Sequence, residues 1–441
     1  IEVVTVHVLT DAELDTNRAI ALRNLGRAKT AEALLAAVMA RAPTIEAAIG
    51  HGNTLRDLDR PAEAVAAFER GLALEPGSIK ALRGLGNALR DDQRAETAVA
   101  VFARAAAIDP DDPEVSLDRA HALLQAGRLG DGFAAYRRRF ASAEMKPHGH
   151  DAPEWDGSDL AGRTLVVHGE QGLGDHIQFA RFIGEATRRG GRVIVEARRV
   201  MHGLLGRLIL PRGNRLEIIA AGDPLPPHDL QIPLLDLPRV FGTELADLPG
   251  AIPYLAADRA RLEAWRARLA DDGRLRVGLV WQGNPQARAD KGRSPPLAAL
   301  APLIDLDGVR LVALQKEHGL DQLAGGPFAG RIERPGPDFD AGPEGFLDTA
   351  AAMAALDLVV TSDTAAAHLA GALGRPTLLL LKRSADWRWL EGRTDSPWYP
   401  TLELFRQRVA GDWSVPVAAL AARVAELRDA RVAPKRRRKR S

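Results

Sequence analysis

A period of 34 residues in the first third of the chain constrains the fold more than any other feature, because a unit recurring at fixed spacing must pack against its own copies. Pro76 and Pro110 mark the period, and the residues behind them match position by position. Phe68 and Phe102 stand eight residues earlier, Ala64 and Ala98 twelve, Leu55 and Leu89 twenty-one, Gly52 and Gly86 twenty-four. Each unit reads as two short amphipathic helices: Gly and Ala let the pair approach closely, Phe or Leu fills the space between, and Pro stops the second helix. A weaker copy lies upstream with Leu22, Ala31, Leu35 and Pro43, and a degenerate one downstream with Leu123, Gly132 and Tyr136.

This pattern resembles the tetratricopeptide-repeat (TPR) family over residues 12–146, with loose outer repeats of the kind that cap a solenoid. The resemblance implies an N-terminal α-solenoid whose concave groove takes a protein or peptide partner. The alternative is that the repeats only extend the fold or dimerise it.

At 441 residues the chain is too long for one core, and at roughly 100–200 residues per domain it should hold about three. Its 46% apolar and 27% charged residues are the balance of a soluble globular protein. No run approaches the ~18 uninterrupted apolar residues of a membrane span, and the apolar stretch 1–10 lacks the basic region and cleavage site of a signal peptide. Without cysteine there is no disulfide or thiolate chemistry, and a cytoplasmic location is the expectation. The net charge of +1 includes the six basic residues Lys435–Arg440; without them the remainder carries −5. The folded part therefore lacks the balance of a nucleic-acid binder, and the basic tail, 431–441, reads as a solvated terminus able to touch anionic lipid or RNA.

Residues 147–160 form a linker rich in Pro, Gly and His. Beyond it, short β-branched runs alternate with helical ones, the pattern of parallel βα units. Strands are expected at 164–168, 192–196, 216–219, 230–232, 276–280, 309–314, 356–360 and 377–381. They fall into two groups, separated by a helical stretch at 258–270. Two α/β lobes are thus expected, at 161–257 and 272–408, facing one another across a cleft, with a C-terminal helix at 409–430. Ligands bind at the carboxyl ends of such strands.

The first motif, Val167-His-Gly-Glu-Gln-Gly-Leu-Gly-Asp175-His176, follows a strand and opens a helix. Gly169, Gly172 and Gly174 let the backbone approach a ligand and leave helix N–H groups pointing at it. As a dinucleotide fingerprint the glycines come in the wrong order, although Glu196, ending the next strand, is well placed for a ribose. The stretch resembles the first-lobe loop of the heptosyltransferase-like glycosyltransferases, in which Leu-Gly-Asp precedes the first helix and the aspartate serves as base. The resemblance implies that Asp175 deprotonates an acceptor hydroxyl, with the adjacent His176 as the fallback base. The plain alternative for Asp175 is a helix cap.

The second motif, Thr361-Ser-Asp363-Thr364-Ala365-Ala-Ala-His368-Leu, ends a buried strand, places Asp363 to cap, and starts a helix that Gly374 and Pro376 terminate. Its small first turn leaves amides able to hold a diphosphate on the positive end of the helix dipole. It resembles the Asp-Thr-x-x-x-His-Leu motif of the same glycosyltransferases, whose second lobe binds the nucleotide sugar there. His368 could equally be a core histidine.

A third segment, Trp281-Gln-Gly283-Asn284, leads into a loop with Arg288, Lys291, Arg293 and Ser294. Lys291 and Arg293 are expected to neutralise a leaving diphosphate, which the resemblance implies is done without a metal or cofactor. Gln315 at a strand end and Asp348 at a helix start are further expected donor contacts, the bland readings being a solvated strand end and a helix cap. The Trp-rich stretches 386–389 and 395–400 read as packing or as carbohydrate stacking.

Taken over residues 160–408, the resemblance implies a GT-B-like pair of Rossmann-type lobes and inverting transfer from a nucleotide-diphosphate sugar to a protein or peptide held by the repeats. An uncovered crown of amides at 364–366 should face Asp175 across a gap. The alternatives are a binding scaffold with an inactive glycosyltransferase-like domain, and a nicotinamide-dependent enzyme.

Overall fold

A computed structural model describes residues 9–141, 151–287, 290–324 and 328–432. The basic run Lys435–Arg440, Arg288 and residues 147–150 of the linker lie outside them. The chain divides into two compact units where three were expected. One runs to Pro147 and includes Asp386–Gly392; the other comprises His148–Ala385 and the chain from Arg393 onward.

The first unit is a stack of four helix pairs: α1 (Asp11–Asn24) with α2 (Ala28–Arg41), α3 (Ile45–Asp57) with α4 (Pro61–Leu74), α5 (Ile79–Asp91) with α6 (Ala95–Ile108), and α7 (Pro113–Gln125) with α8 (Leu129–Tyr136). The 34-residue period has a direct steric cause. A Cβ on Gly52 would fall 2.6 Å from the Phe68 ring, and one on Gly84, in the next repeat, 2.1 Å from the same ring. Phe68 thus fills its own repeat and the joint to the next one. Gly86 makes the same room for Phe102, at 2.5 Å. A polar ladder runs down the stack at matching spacing. Arg23 pairs with Asp57 and Arg56 with Asp91, while Arg90 meets Gln125, which stands where the other two steps carry aspartate.

Gln125 also donates through Nε2 to the carboxylate of Glu391 at 2.8 Å, and that carboxylate accepts from the Ala95 N–H, 3.1 Å away, at the start of α6. Trp387 stands edge-on to Phe133, with ring centroids 5.9 Å apart. The stretches 386–389 and 395–400, read as one region of the second lobe, are therefore divided: the first completes the helical unit.

The second unit holds two all-parallel sheets. The first lobe contains β1 (Thr164–His168), α9 (Leu173–Thr187), β2 (Arg192–Ala197), α10 (His202–Leu205), β3 (Leu216–Ala220), β4 (Leu230–Pro233) and α11 (Leu237–Val240). The second contains α12 (Arg259–Arg268), β5 (Leu275–Val280), α13 (Ala301–Ile304), β6 (Val309–Ala313), β7 (Ile332–Glu333), α14 (Leu347–Ala355), β8 (Leu358–Ser362), α15 (Ala365–Ala372), β9 (Thr377–Leu381), β10 (Leu402–Arg406) and α16 (Ser414–Val432). The strand orders are β3-β2-β1-β4 and β10-β9-β8-β5-β6-β7. β7 and β10 were not expected, the one being two residues long and the other lying beyond the last apolar run. β8 begins two residues later than expected, because Asp357 pairs with Arg276 at the entry to β5 instead of lying in the strand. α16 belongs to the second lobe, whose core buries its Val417, Leu420 and Val424.

The two lobes form one compact unit because α9 packs directly on α15. No helix among the described residues is long and apolar enough to cross a membrane.

Candidate functional site

Each sheet reverses its winding once, between β1 and β4 in the first lobe and between β5 and β8 in the second. The crevice at such a switch point, beyond the carboxyl ends of the strands, is where open parallel sheets take ligands. The loop after β1 carries Gly169–Gly172, the loop after β5 carries Gly283 and Asn284, and the loop after β8 carries Asp363 and Thr364. Topology alone therefore brings the first-lobe and second-lobe motifs to switch points.

In the first lobe, Gly172 precedes α9, and the Asp175 carboxylate accepts from the Gly172 N–H at 2.8 Å, closing the first turn of the helix. Asp175 is half-buried. His176 does not share that position. It is 1% exposed, and a Cβ on Gly169 would fall 2.3 Å from its Nε2. Its Nδ1 lies 2.9 Å from the Gly172 carbonyl oxygen. Burial holds its pKa below the ordinary histidine value, and its ring is enclosed beneath Gly169. Gly169 is required because it leaves room for this ring. Glu196, read as a ribose ligand, sits 3.2 Å from His168 Nδ1 and accepts from the Gly222 N–H at 3.2 Å.

In the second lobe, Thr364 and not Asp363 occupies the N-cap of α15, and it makes no side-chain cap; its hydroxyl lies 3.4 Å from the Ser362 carbonyl oxygen. Asp363 is 8% exposed. Thr364 and Ala365 remain half-buried, while Ala366 is buried. The amide crown does not look across a gap. A Cβ on Gly174 would lie 3.6 Å from Ala365 Cα and 3.1 Å from His368 Cδ2, so the first turns of α9 and α15 touch. Gly174 makes that approach possible. His368 is 5% exposed, and its Nδ1 is 3.0 Å from the Tyr399 hydroxyl.

The loop after β5 is held from within. Gly283 N–H donates to Ser294 Oγ at 2.8 Å, and Ser294 Oγ donates to Asp290 Oδ1 at 2.7 Å. Arg293 donates to the same Asp290 oxygen, through Nη2 at 3.2 Å. Asn284 is exposed and accepts from Gln286 N–H at 3.0 Å. Lys291 is exposed, and its carbonyl oxygen accepts from Lys382 Nζ at 3.2 Å. Lys382, just beyond β9, is thus a further cation at this loop, beside Lys291 and Arg293, that sequence reasoning missed.

Two expected donor contacts also carry bonds within the protein. Gln315 is 6% exposed. Its Oε1 accepts from the Trp281 and Gln282 N–H groups, both at 2.9 Å, and its Nε2 donates to the Gln282 and His318 carbonyl oxygens. It clamps the chain after β5 to the chain after β6, is not a solvated strand end, and lines the hollow described next. Asp348 pairs with Arg261 at 2.6 Å and accepts from Asp340 N–H at 3.0 Å. Asp340, not Asp348, caps α14 by accepting from the Asp348 and Thr349 N–H groups.

A hollow of about 540 Å3 opens at the ends of β6 and β7, lined by Lys316, Glu317, Arg334, Pro335 and Phe339 among others. These residues escaped notice because the Gly- and Pro-rich chain around β7 carries no strand pattern.

Residues 49–113 match the model of the tetratricopeptide repeat, and the chain carries TPR repeats. Over 436 residues it is 29% identical to Protein FlbA of Caulobacter vibrioides, an alignment covering 93% of this chain and 72% of that one. Among solved structures, a thermophilic TPR protein of Thermus thermophilus is 18% identical with a TM-score of 0.28, covering 30% of this chain and 75% of that one. MamA from Desulfovibrio magneticus RS-1 is 22% identical with a TM-score of 0.27, covering 32% and 78%.

Proposed function

We propose that the second unit is a GT-B-type glycosyltransferase that transfers a sugar from a nucleotide diphosphate by inverting displacement, and that the repeats hold a protein or peptide acceptor. The observation that carries this reading is the meeting of the Gly174 turn of α9 with the Ala365 turn of α15 at the mouths of two parallel sheets. A helix N-terminus favours negative charge, and two converging ones suit a diphosphate better than a neutral ligand.

In the proposed step Asp175 takes the proton of the acceptor hydroxyl, whose oxygen forms a bond to the anomeric carbon. The bond from that carbon to the diphosphate oxygen breaks, and its electron pair leaves on the diphosphate. The first-turn amides of α15, with Lys291, Arg293 and Lys382, stabilise the charge that develops. The hollow at β6 and β7 suits the nucleoside in size, and its Phe339 and Arg334 suit a flat base.

A thermal-shift screen against UDP-, GDP-, ADP- and TDP-sugars tests donor binding, followed by turnover with the donor that stabilises. Asp175→Asn should abolish turnover and leave donor binding in place. A second reading, an inactive domain serving a TPR scaffold, is favoured by the bond that ties Asp175 to its own helix start. It requires a donor that binds with no turnover in the wild type.

A further inference from the structure

The stretch Asp386–Gly392 lies between β9 and β10 in sequence yet packs with the repeats. It is a preformed turn. Asp386 accepts from the Arg388 N–H at 3.1 Å and caps a 3-10 turn over Trp387–Trp389, the Arg388 guanidinium lies 4.4 Å from the Trp387 ring centre, and Leu390 takes φ +49°. A left-handed leucine persists only where its surroundings enforce it. The turn rests on α7, with Trp387 against Phe133 of α8, and Glu391 reaches the step between the third and fourth helix pairs.

That step is built to receive a carboxylate, and the step before it is not. Arg94, at the cap of α6, gives the helix no side-chain bond, and the Glu391 carboxylate takes the Ala95 N–H instead, its two oxygens at 3.1 and 3.3 Å. A carboxylate is favoured at such a helix start. Gln125 answers both neighbours at once: its Oε1 lies 3.4 Å from Arg90 Nε, as the ladder requires, and its Nε2 donates to Glu391. An aspartate there could accept from the arginine but would have nothing to donate. One repeat earlier the same two places hold Pro61, which has no N–H, and Asp91, which would repel a carboxylate.

We infer that α5–α8 form a recognition site for a peptide carrying tryptophan four residues before glutamate, and that the chain's own Trp387–Glu391 is its resident ligand. This recognition stands whether or not the second unit transfers a sugar. Tethered at both ends, the segment holds the site at an effective concentration far above that of a dilute free peptide. A protein held by the repeats is thereby kept from this end of the stack while the segment is in place.

A fluorescein-labelled peptide of residues 386–392, titrated with the full chain, tests the inference. Trp387→Ala with Glu391→Ala empties the site, and this variant should bind the peptide at least about tenfold more tightly than the wild type, whose site is filled. The peptide carrying Glu391→Gln should bind the emptied chain about tenfold more weakly, and adding Gln125→Asp to that chain should weaken the unaltered peptide in the same sense. No binding by an emptied chain of native helicity, equal binding by the wild type, or indifference to either the Glu391→Gln or the Gln125→Asp change overturns the inference. Should the double variant lose its helices, Glu391→Ala alone, which keeps Trp387, is compared with the wild type by hydrogen exchange. Exchange should quicken at the start of α6 and in α7 and stay as it was in α1–α4; unchanged exchange in α6 and α7 overturns the inference equally.

Discussion

Gly174 in the first turn of α9 stands against the imidazole of His368 on α15, so close that a Cβ would meet Cδ2 at 3.1 Å. The two lobes of the second unit therefore touch through the one residue of that turn that has no side chain to interpose. Gly174→Val should part the helices or strain them, lowering unfolding free energy by about 1–3 kcal/mol and abolishing any nucleotide binding. Urea denaturation and nucleotide titration on the same sample check this; tight binding by the valine variant would show that the contact does not matter.

Phe68 fills the space left by Gly52 and Gly84 and is fully buried. Phe68→Ala opens a cavity at the joint of two repeats and should cost about 3–5 kcal/mol. Gly84→Ala should also destabilise, by overpacking, since its Cβ would lie 2.1 Å from the ring. Chemical denaturation followed by circular dichroism measures both.

Gln125 is 5% exposed and donates to Glu391. Gln125→Glu restores the acid found at Asp57 and Asp91, yet sets two carboxylates against each other, and should lose about 1–3 kcal/mol. Adding Glu391→Gln should recover most of that loss. A double-mutant cycle in thermal or urea unfolding reads the coupling, and additive effects would deny the contact.

His176 is buried with its pKa below the ordinary value, so the native state resists its protonation. The unfolded chain takes up that proton near pH 6.5, and its share of stability is present above this pH and lost as pH falls below it. For one proton the slope cannot exceed about 1.4 kcal/mol per pH unit. His176→Gln should flatten this component between pH 7 and 5, measured as the difference in urea midpoints between variant and wild type.

Sequence by itself determined most of the elements, β7 and β10 excepted, because periodicity reports which side of a helix or strand is buried. The repeat through Gly52, Phe68, Gly86 and Phe102 defined its helix pairs before any fold was known, and strands such as 164–168 and 377–381 lie where β-branched and leucine-rich runs announced them. Local chemistry also marked Gly172, Gly174 and the Thr364 turn as unusual. Direction and partnership were beyond it. Asp175 and His176 are neighbours in sequence, but one helical step turns the first toward the start of its helix and the second into the interior. The bonds of Gln315, Asp348 and Glu196 within the protein were not legible because their partners, Trp281, Arg261 and His168, lie between 28 and 87 residues away. Tyr399 reaches His368 and Tyr254 only through the packing of two lobes. A side chain's hydrogen-bond partners are set by what lies near it in space, and a linear pattern carries that information only where the partners recur at a fixed interval, as they do in the repeats.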